Sequence, residues 1–428
     1  MISLTPDPSS FATPPTKEDS QKNRVLITPA QRRILLALAS AVGLRMLGLF
    51  LVLPVFTLYG LQFTTSRFWT GFAFGCYGLA MALTEFPLGR LSDRIGRRKV
   101  LLLGMTIFSL GSFLCAIPAW LPASMRIGEL VFGRLVQGIG AITSTAFATV
   151  SDHIPEERRS TAMAVLGIPI GASFIIGVIA GPVIAARFGT ESLFWLTGVL
   201  GLTTVWLLAR YLPESAPRAG APASLIAVLR RPAVLRLDLC GFLMNAFMTS
   251  FWFSFPMIVT GLKAPPSWTS LLHHLGMNQY YTILIPMVLA SGITMFGFAR
   301  GADRGLGREL AAIAFLILAS SAVLLFRPST AGLDVSRLTA VLVPGILFLV
   351  GFTGLEPVMP SLVSKCAQEG AAGATQGSFQ VLQYLGSFAG SSIAGGLSHL
   401  PPDYIMIALV SASFAGFLLM LPRLKGLA

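Results

Sequence analysis

The sequence predicts an all-α integral membrane protein with twelve transmembrane helices in two pseudo-symmetric six-helix bundles. Three observations predict this class. Only 11% of the 428 residues are charged, against about 25% in an average soluble protein. Apolar stretches of about 20 residues, the length that spans a bilayer, recur along the chain. Two patterns of the first half return in the second half, as described below. The composition alone excludes an ordinary soluble enzyme.

The apolar stretches define the domain organisation. We predict a disordered cytoplasmic tail (residues 1–33), an N-terminal six-helix bundle (34–211), a cytoplasmic linker (212–233), a C-terminal six-helix bundle (234–422) and a cytoplasmic C-terminus (423–428). The predicted spans cover residues 34–59, 68–91, 99–118, 124–150, 160–186, 191–211, 234–261, 277–299, 308–326, 337–363, 371–398 and 404–422. The connections between them are mostly short, which leaves little room for a domain outside the membrane.

Basic residues predict the orientation of the chain. Most of the 31 Lys and Arg residues fall on alternate connections and on both termini, and such residues accumulate on the cytoplasmic side of a membrane. We therefore expect both termini in the cytoplasm, in a multi-pass protein of the bacterial cytoplasmic (inner) membrane. The net charge of +13 then reflects topology, and nucleic acid is not an expected partner. The tail lacks the apolar core of a cleavable signal, so the first span is the expected targeting signal.

Sulfur and imidazole groups give no sign of a metal site. The 4 Cys and 4 His residues are scattered, with no CxxC or HExxH spacing. The Walker pattern GxxxxGK[ST] is also absent from the sequence, so ATP is not the expected energy source. We expect no cofactor.

An internal repeat relates the two halves. "GRLSDRIGRR" after the second span returns in weaker form as "ARGADRGLGR" after the eighth, which aligns Asp93 with Asp303. A GxxxG pattern begins at Gly177 in the fifth span and again at Gly386 in the eleventh, at nearly the same offset. Two features of different kinds in one register favour six plus six helices, an organisation found in many transporters.

Four motifs carry a resemblance to a known family. "GRLSDRIGRRKVL" (89–101) resembles the loop 2-3 signature of the major facilitator superfamily. "LGLFLVLPV" (47–55), "LVFGRLVQGIGAI" (130–142) and "GVIAGP" (177–182) are similar to patterns of spans one, four and five in its twelve-helix drug/proton antiporter branch. The span-one pattern departs at Thr57, and the span-five pattern departs at Ala185 and Ala186. The resemblance implies the major facilitator fold and transport by alternating access.

The charged cluster between spans two and three is predicted to be a gate. Charge pairs and a carboxylate at a helix N-terminus can hold the two halves together at one face and must part when the cavity opens there. The resemblance implies that the partner of Asp93 is the start of span eleven, near "GAAGATQGS" (370–378). For Arg90, Arg98 and Lys99 we favour the simpler interpretation that they fix topology. The predicted gate and conformational-switch residues are Gly89, Asp93, Arg94, Gly96, Arg97, Asp152, Asp303 and Arg304.

Two arginines lie inside predicted spans. Arg134 is some ten residues into span four, where a charge costs at least about 2.5 to 3.5 kcal/mol and needs a partner or a water-filled cavity. The resemblance links this arginine to proton coupling, and the alternative is a structural hydrogen-bonding group. Arg45, in span one, either lines the substrate cavity or snorkels toward the cytoplasm.

Proton coupling also requires a carboxylate whose pKa lies near physiological values, which desolvation can produce. Glu356 is the first candidate, because Pro357 and Pro360 follow it and can break the helix there. Glu85 is the second candidate, although it could instead join the gate. Glu129 and Asp238 are interpreted as solvated residues near the membrane faces.

The remaining site residues are aromatic residues and a glycine motif. Aromatic side chains near the expected cavity could bind flat apolar compounds, but for any one of them we favour a core or lipid-facing position. Gly177, Gly181 and Pro182 of the antiporter motif allow close helix packing and bending. The aromatic candidates for the substrate cavity are Tyr77, Phe242, Trp252 and Phe253.

Together these features predict a secondary active transporter and not an enzyme. By resemblance, its expected task is proton-coupled efflux of small amphipathic compounds such as drugs, driven by the proton gradient. Alternatives are a specific metabolite or sugar transporter of the same fold, or a non-transporting membrane sensor or scaffold. Expected partners are the lipid bilayer, the small-molecule substrate and protons, and we expect the monomer to be functional.

Overall fold

The computed structural model describes residues 28–140, 142–154, 156–214, 230–260, 279–326, 339–366 and 372–421. Each predicted span corresponds to one helix or to a broken pair of helices. The helices are α1 Pro29–Val52, α2 Phe56–Gly60, α3 Arg67–Ile95, α4 Arg97–Ala116, α5 Ala123–Ile139, α6 Thr143–His153, α7 Glu156–Phe188, α8 Glu191–Tyr211, α9 Pro232–Thr260, α10 Gln279–Gly301, α11 Gly307–Phe326, α12 Thr339–Lys365, α13 Ala372–Leu397 and α14 Pro402–Met420.

The predicted tail boundary at residue 33 is wrong. Helix α1 already begins at Pro29, because Thr28 and Gln31 form a capping box: the Gln31 amide donates to Thr28 Oγ1 at 3.2 Å, and the Thr28 amide donates to Gln31 Oε1 at 2.9 Å. A proline at the first helical position is favoured because its missing N–H would have no partner there. Residues 1–27, which include the rest of the predicted tail, lie outside the described residues.

Length and apolar composition identify eight helical segments of the described chain that could cross a membrane. One of them, Ile283–Leu325, runs over both α10 and α11. Helices α3 and α13 are not among the eight, and these two helices pack extensively against each other. A helix that is shielded from lipid by protein does not need a fully apolar surface, and α13 accordingly carries many Gly and Ser residues.

The two bundles, α1–α8 and α9–α14, repeat the same packing. Helix α1 packs on α7 and α8, as α9 packs on α13 and α14. The GxxxG repeats make equivalent contacts. A Cβ at Gly177 would lie 2.6 Å from Phe50 Cβ, and one at Gly181 would overlap the Leu51 carbonyl of α1. In the second bundle, Cβ atoms at Gly386 and Gly390 would overlap backbone carbonyls of α9. Close helix packing is thus what this motif provides in both halves.

Two seams, here called the α3–α13 seam and the α7–α10 seam, join the bundles. Three glycines bring α3 close to α13, namely Gly71, Gly75 and Gly78. At one end of this seam, Arg67 Nη1 donates to the Ser398 carbonyl at 2.8 Å. Further along α3, toward Asp93, Gly89 meets only Ser144 of its own bundle. Contact between the bundles is therefore concentrated toward the Arg67 end of the molecule.

Candidate functional site

A charged cluster stands at the Asp93 end of the first bundle. Gly96 separates α3 from α4 with φ 101°, a conformation that glycine adopts without strain. The turn places Arg97 so that Nη2 lies 2.6 Å from Asp93 Oδ1, while Nε lies 3.2 Å from Asp152 Oδ2 on α6. Arg97 also donates to the Ser92 hydroxyl. The sequence prediction that Asp93, Arg97 and Asp152 come together is therefore met by this geometry.

The predicted partner of this cluster across the bundles is only partly described. Residues 370 and 371 of the "GAAGATQGS" segment lie outside the described residues. In the part of α13 that is described, Asp93 has no hydrogen-bond or ion-pair partner. The gate contact between the bundles stays a prediction. Arg94 is exposed, and Arg90 is exposed and stacks on Phe86 at 4.3 Å, which fits a topological role for Arg90.

The equivalent turn of the second bundle forms no such cluster. Asp303 and Arg304 lie on a single π-helical turn, are exposed, and have no ion-pair partner among the residues that the structure covers. Gly305 takes the left-handed conformation, with φ 89°. It stands two residues after Asp303, whereas Gly96 stands three residues after Asp93. The two carboxylates therefore occupy different positions relative to the glycine at which the helix turns. A switch role for Asp303 and Arg304 stays a prediction.

Inside the first bundle, span four is broken into α5 and α6. The break follows from glycine contacts on two sides: a Cβ at Gly138 would overlap the Tyr77 carbonyl of α3, and one at Gly140 would overlap the Gly104 carbonyl of α4. The glycines of "QGIG" thus let this helix pack closely against α3 and α4, and the helix is interrupted there. Helix α6 then starts at Thr143 within the bundle, which exposes backbone N–H groups in the interior.

Arg45 of α1 points at this break. Its side chain is 1% exposed, so it does not snorkel. Its Nη2 donates to the Tyr77 hydroxyl at 2.8 Å, and its Nη1 reaches Thr143 Oγ1 at 3.5 Å. The guanidinium also lies over the ring of Phe108, at 5.5 Å from the centroid.

Arg134 of α5 lies on the other side of Tyr77. Its Nη1 donates to Gln137 Oε1 at 2.6 Å and its Nη2 to the Phe74 carbonyl at 3.3 Å. Its guanidinium stands 4.6 Å from the Tyr77 ring and 5.0 Å from the Phe56 ring. The charge is thus compensated by dipoles and rings, and no ion pair joins it to Glu356 in the described structure.

Glu85 is the buried carboxyl group of this region. It is 1% exposed, and its Oε1 accepts from the Ser144 amide of α6 at 2.6 Å. A carboxylate at a helix N-terminus is stabilised by the orphan N–H groups and the helix dipole. Tyr384 of α13 reaches the same place, since its hydroxyl lies 3.2 Å from Thr143 Oγ1. The break in span four is therefore also a contact point between the bundles.

Two further carboxyl groups lie in the second bundle. Glu356 on α12 is partly buried and has no hydrogen-bond or ion-pair partner among the described residues. Asp238 on α9 is fully buried, beside Ser378 of α13. The interpretation of Asp238 as solvated is wrong: its position in sequence, near the start of a span, gave no sign that α13 would cover it.

The aromatic candidates are divided between interior and interface positions. Trp252 and Phe253 are fully buried, and Trp252 packs among Phe251, Phe255 and Phe348 of the second bundle. This position in the packed interior agrees with the core interpretation, and a place along the cavity stays a prediction. Phe242 is partly buried and its backbone touches Gly386. Of these candidates, Tyr77 is the one that contacts the buried arginines.

The fold and this site define a class of protein: a two-bundle membrane transporter with charged groups buried at the contact between its halves. The Major Facilitator Superfamily model matches residues 38–391. The chain belongs to this family, as the motifs indicated. Within the described residues, no group of three or more His, Cys, Asp or Glu side chains could hold a metal ion.

Known proteins give the same picture. The chain is 30% identical over 384 residues to the inner membrane transport protein YajR of Escherichia coli (strain K12), covering 87% of this chain and 79% of that one. It is 32% identical over 214 residues to the 3-(3-hydroxy-phenyl)propionate transporter of the same organism, covering 47% and 51%. The crystal structure of the human organic anion transporter MFSD10 (TETRAN) superposes with a TM-score of 0.64 at 18% identity, covering 92% and 100% of the two chains.

Proposed function

We propose that this transporter exports small amphipathic compounds in exchange for protons. The observation that carries the proposal is the buried cluster at the break in span four, where Arg45, Arg134 and Glu85 meet the contact between the bundles. Charged groups inside a membrane protein are expensive to bury, and where they occur they mark substrate or proton pathways. A protein that served only as a sensor or scaffold would gain nothing from them.

The mechanism rests on alternating access. The bundles are in contact from the Arg67 end to the level of Tyr384, which supports a state that is closed at the Arg67 end. Rocking of one bundle against the other would release the α3–α13 seam and let the Asp93 cluster meet α13. Proton binding to a buried carboxylate, Glu356 first and Glu85 second, would couple this motion to the proton gradient.

Basic residues and family membership support the remaining expectations. We place the protein in the bacterial cytoplasmic membrane with both termini in the cytoplasm, acting as a monomer without a cofactor. A second candidate function is transport of one specific metabolite, which the relative named for 3-(3-hydroxy-phenyl)propionate favours. A shared fold does not decide between these substrates.

Transport by purified protein in sealed vesicles tests the proposal. We expect substrate accumulation to follow an imposed pH gradient and to collapse when a protonophore is added while ATP is maintained. A panel of amphipathic dyes is compared with single metabolites to separate the two candidate functions. Accumulation that persists with the protonophore would remove proton coupling, and movement of one metabolite alone would replace efflux of amphipathic compounds.

A further inference from the structure

The buried cluster of the first bundle holds more positive than negative charge. Arg45, Glu85 and Arg134 are the charged side chains buried in the described part of this bundle, so two guanidinium groups accompany one carboxylate. The Nε atom of each arginine has no hydrogen-bond partner among the described residues. A buried donor without a partner is costly, and a charge-bearing donor gains most from an anionic acceptor.

The start of α6 adds a third source of positive potential. This 11-residue helix begins inside the bundle, and no side chain of its N-cap residue Ile142 bonds to its first turn. Its Ser144 amide instead binds Glu85. Half-helices that start within a membrane direct their N-termini at anionic substrate groups in other transporters. Here the N-terminus, Arg45 and Tyr384 of the opposite bundle converge on Thr143.

From this convergence, and from Arg134 on the opposite side of the Tyr77 ring, we propose that Arg45, Arg134 and the N-terminus of α6 bind the carboxylate of a transported organic anion, and that Glu85 is the internal carboxylate which the substrate displaces. The proposal rests on the transport function above and narrows its amphipathic substrates to those with an acidic group. The Phe56 and Tyr77 rings beside Arg134 provide an apolar surface for the body of an aromatic acid. Because Tyr384 reaches the same point, the bound anion would touch both bundles.

Binding of a matched acid and amide to purified full-length protein tests this proposal. The probes are 4-phenylbutyrate and 4-phenylbutanamide, which differ in charge and hardly in shape, measured by calorimetry in detergent without any gradient. We expect the wild-type protein to bind the acid at least about tenfold more tightly, a difference of about 1.4 kcal/mol. Arg45→Gln and Arg134→Gln should each reduce that preference to less than about threefold.

The control is Arg210→Gln, which removes an exposed arginine at the end of α8 and should keep the preference of the wild-type protein. Equal binding of acid and amide by the wild-type protein, or an unchanged preference in both arginine variants, would overturn the proposal.

A third variant decides the matter if an arginine variant does not fold. Glu85→Gln keeps both arginines and still offers an oxygen to Ser144, but it removes the competing charge. We expect its affinity for the acid to rise at least about threefold while its affinity for the amide stays the same. A lower or unchanged affinity for the acid would count against displacement. Because these measurements need no gradient, they distinguish the two failures: absence of proton-driven transport in vesicles would refute proton coupling, whereas only the binding results decide whether the site takes an anion.

Discussion

The two seams between the bundles occupy equivalent places in the pseudo-symmetric fold and are packed differently. At the α3–α13 seam, Cβ atoms added to Gly71 or Gly75 would overlap Ser391, and one at Gly78 would lie 2.7 Å from the Tyr384 carbonyl. At the α7–α10 seam, a Cβ at Gly171 would make ordinary contact with Met295 Cε at 3.9 Å. Small residues let membrane helices associate through close packing, so the first seam holds the bundles together.

The difference shows that repetition of the fold does not impose repetition of the contacts. Both seams are rich in glycine. The α3–α13 seam is closely packed from Arg67 to the level of Tyr384, whereas the α7–α10 seam is loosely packed. An alternating-access protein needs this inequality, because in each end state the bundles must be joined at one face and parted at the other. The following substitutions test whether the two seams differ in this way.

The largest effect is expected from a methyl group in the closed seam. In Gly75→Ala the new Cβ would lie 2.8 Å from the Phe388 carbonyl oxygen and 2.9 Å from its Cα, and a backbone cannot move aside as a flexible side chain can. We predict a loss of about 1 to 3 kcal/mol of stability, measured by thermal unfolding in detergent. Gly171→Ala, in the loose seam, is the matched control and should stay within about 0.5 kcal/mol. Equal melting of the two variants would remove the distinction between the seams.

Next in size is the loss of the proposed proton-binding group, Glu356. We predict that Glu356→Gln lowers proton-driven accumulation at least about tenfold, equivalent to about 1.4 kcal/mol, while substrate exchange continues, because glutamine resembles only the protonated carboxyl. Glu309→Gln removes a carboxylate that is 49% exposed and should transport normally. Both variants must reach the membrane in equal amounts. Should Glu356→Gln still accumulate substrate, the proton site moves to Glu85, on a helix of the closed seam.

A smaller effect is expected at the inner limit of the closed seam. Tyr384→Phe removes the hydroxyl that contacts Thr143 across the bundles, which should cost about 0.5 to 1.5 kcal/mol and shift the population of the closed seam about fivefold. Spin labels on α3 and α13 would report a longer distance in a larger fraction of molecules. Tyr404→Phe, whose side chain is 52% exposed on α14, serves as the control. Unchanged distances would make the contact incidental.

The smallest effect is expected at the turns that follow Asp93 and Asp303. Asp93→Asn removes one charge from a pair with Arg97 that is partly exposed, worth about 1 kcal/mol or less. We predict longer distances across the Asp93 end in the state that closes there, measured with fluorescent labels during turnover. Asp303→Asn, at the exposed counterpart, should change nothing. A similar response to both substitutions would mean that the two turns act alike despite their different geometry.

The sequence predicted the helices and much of the gate cluster because those depend on local information. Apolar length set the spans, and four-residue spacing with a left-handed glycine set the approach of Asp93 to Arg97. The GxxxG repeats likewise predicted close packing. The break in span four was not predicted, although its signal was present in "QGIG". Two glycines two residues apart lie on different faces of a helix, and here they allow close packing against two different neighbours.

Other features depended on partners far away in the chain. Asp238 looked solvated by its position near the start of a span, and only the packing of α9 on α13 buries it. The neighbours of Trp252 could not be predicted either, because they are contributed by α12 as well as α9. Asp303 matched Asp93 in sequence, yet a one-residue difference in the spacing to glycine left it exposed.

What the sequence by itself determined is the class of protein, the number of spans and the repeat, because hydrophobic length and motif spacing are properties of the chain. What only the tertiary structure decided is which charges meet. Arg45, Glu85 and Thr143 come from three helices, and their encounter at the start of α6 depends on the glycine contacts that break span four. The closed α3–α13 seam depends likewise on surfaces more than 300 residues apart at its Arg67–Ser398 end, whose fit no local pattern encodes.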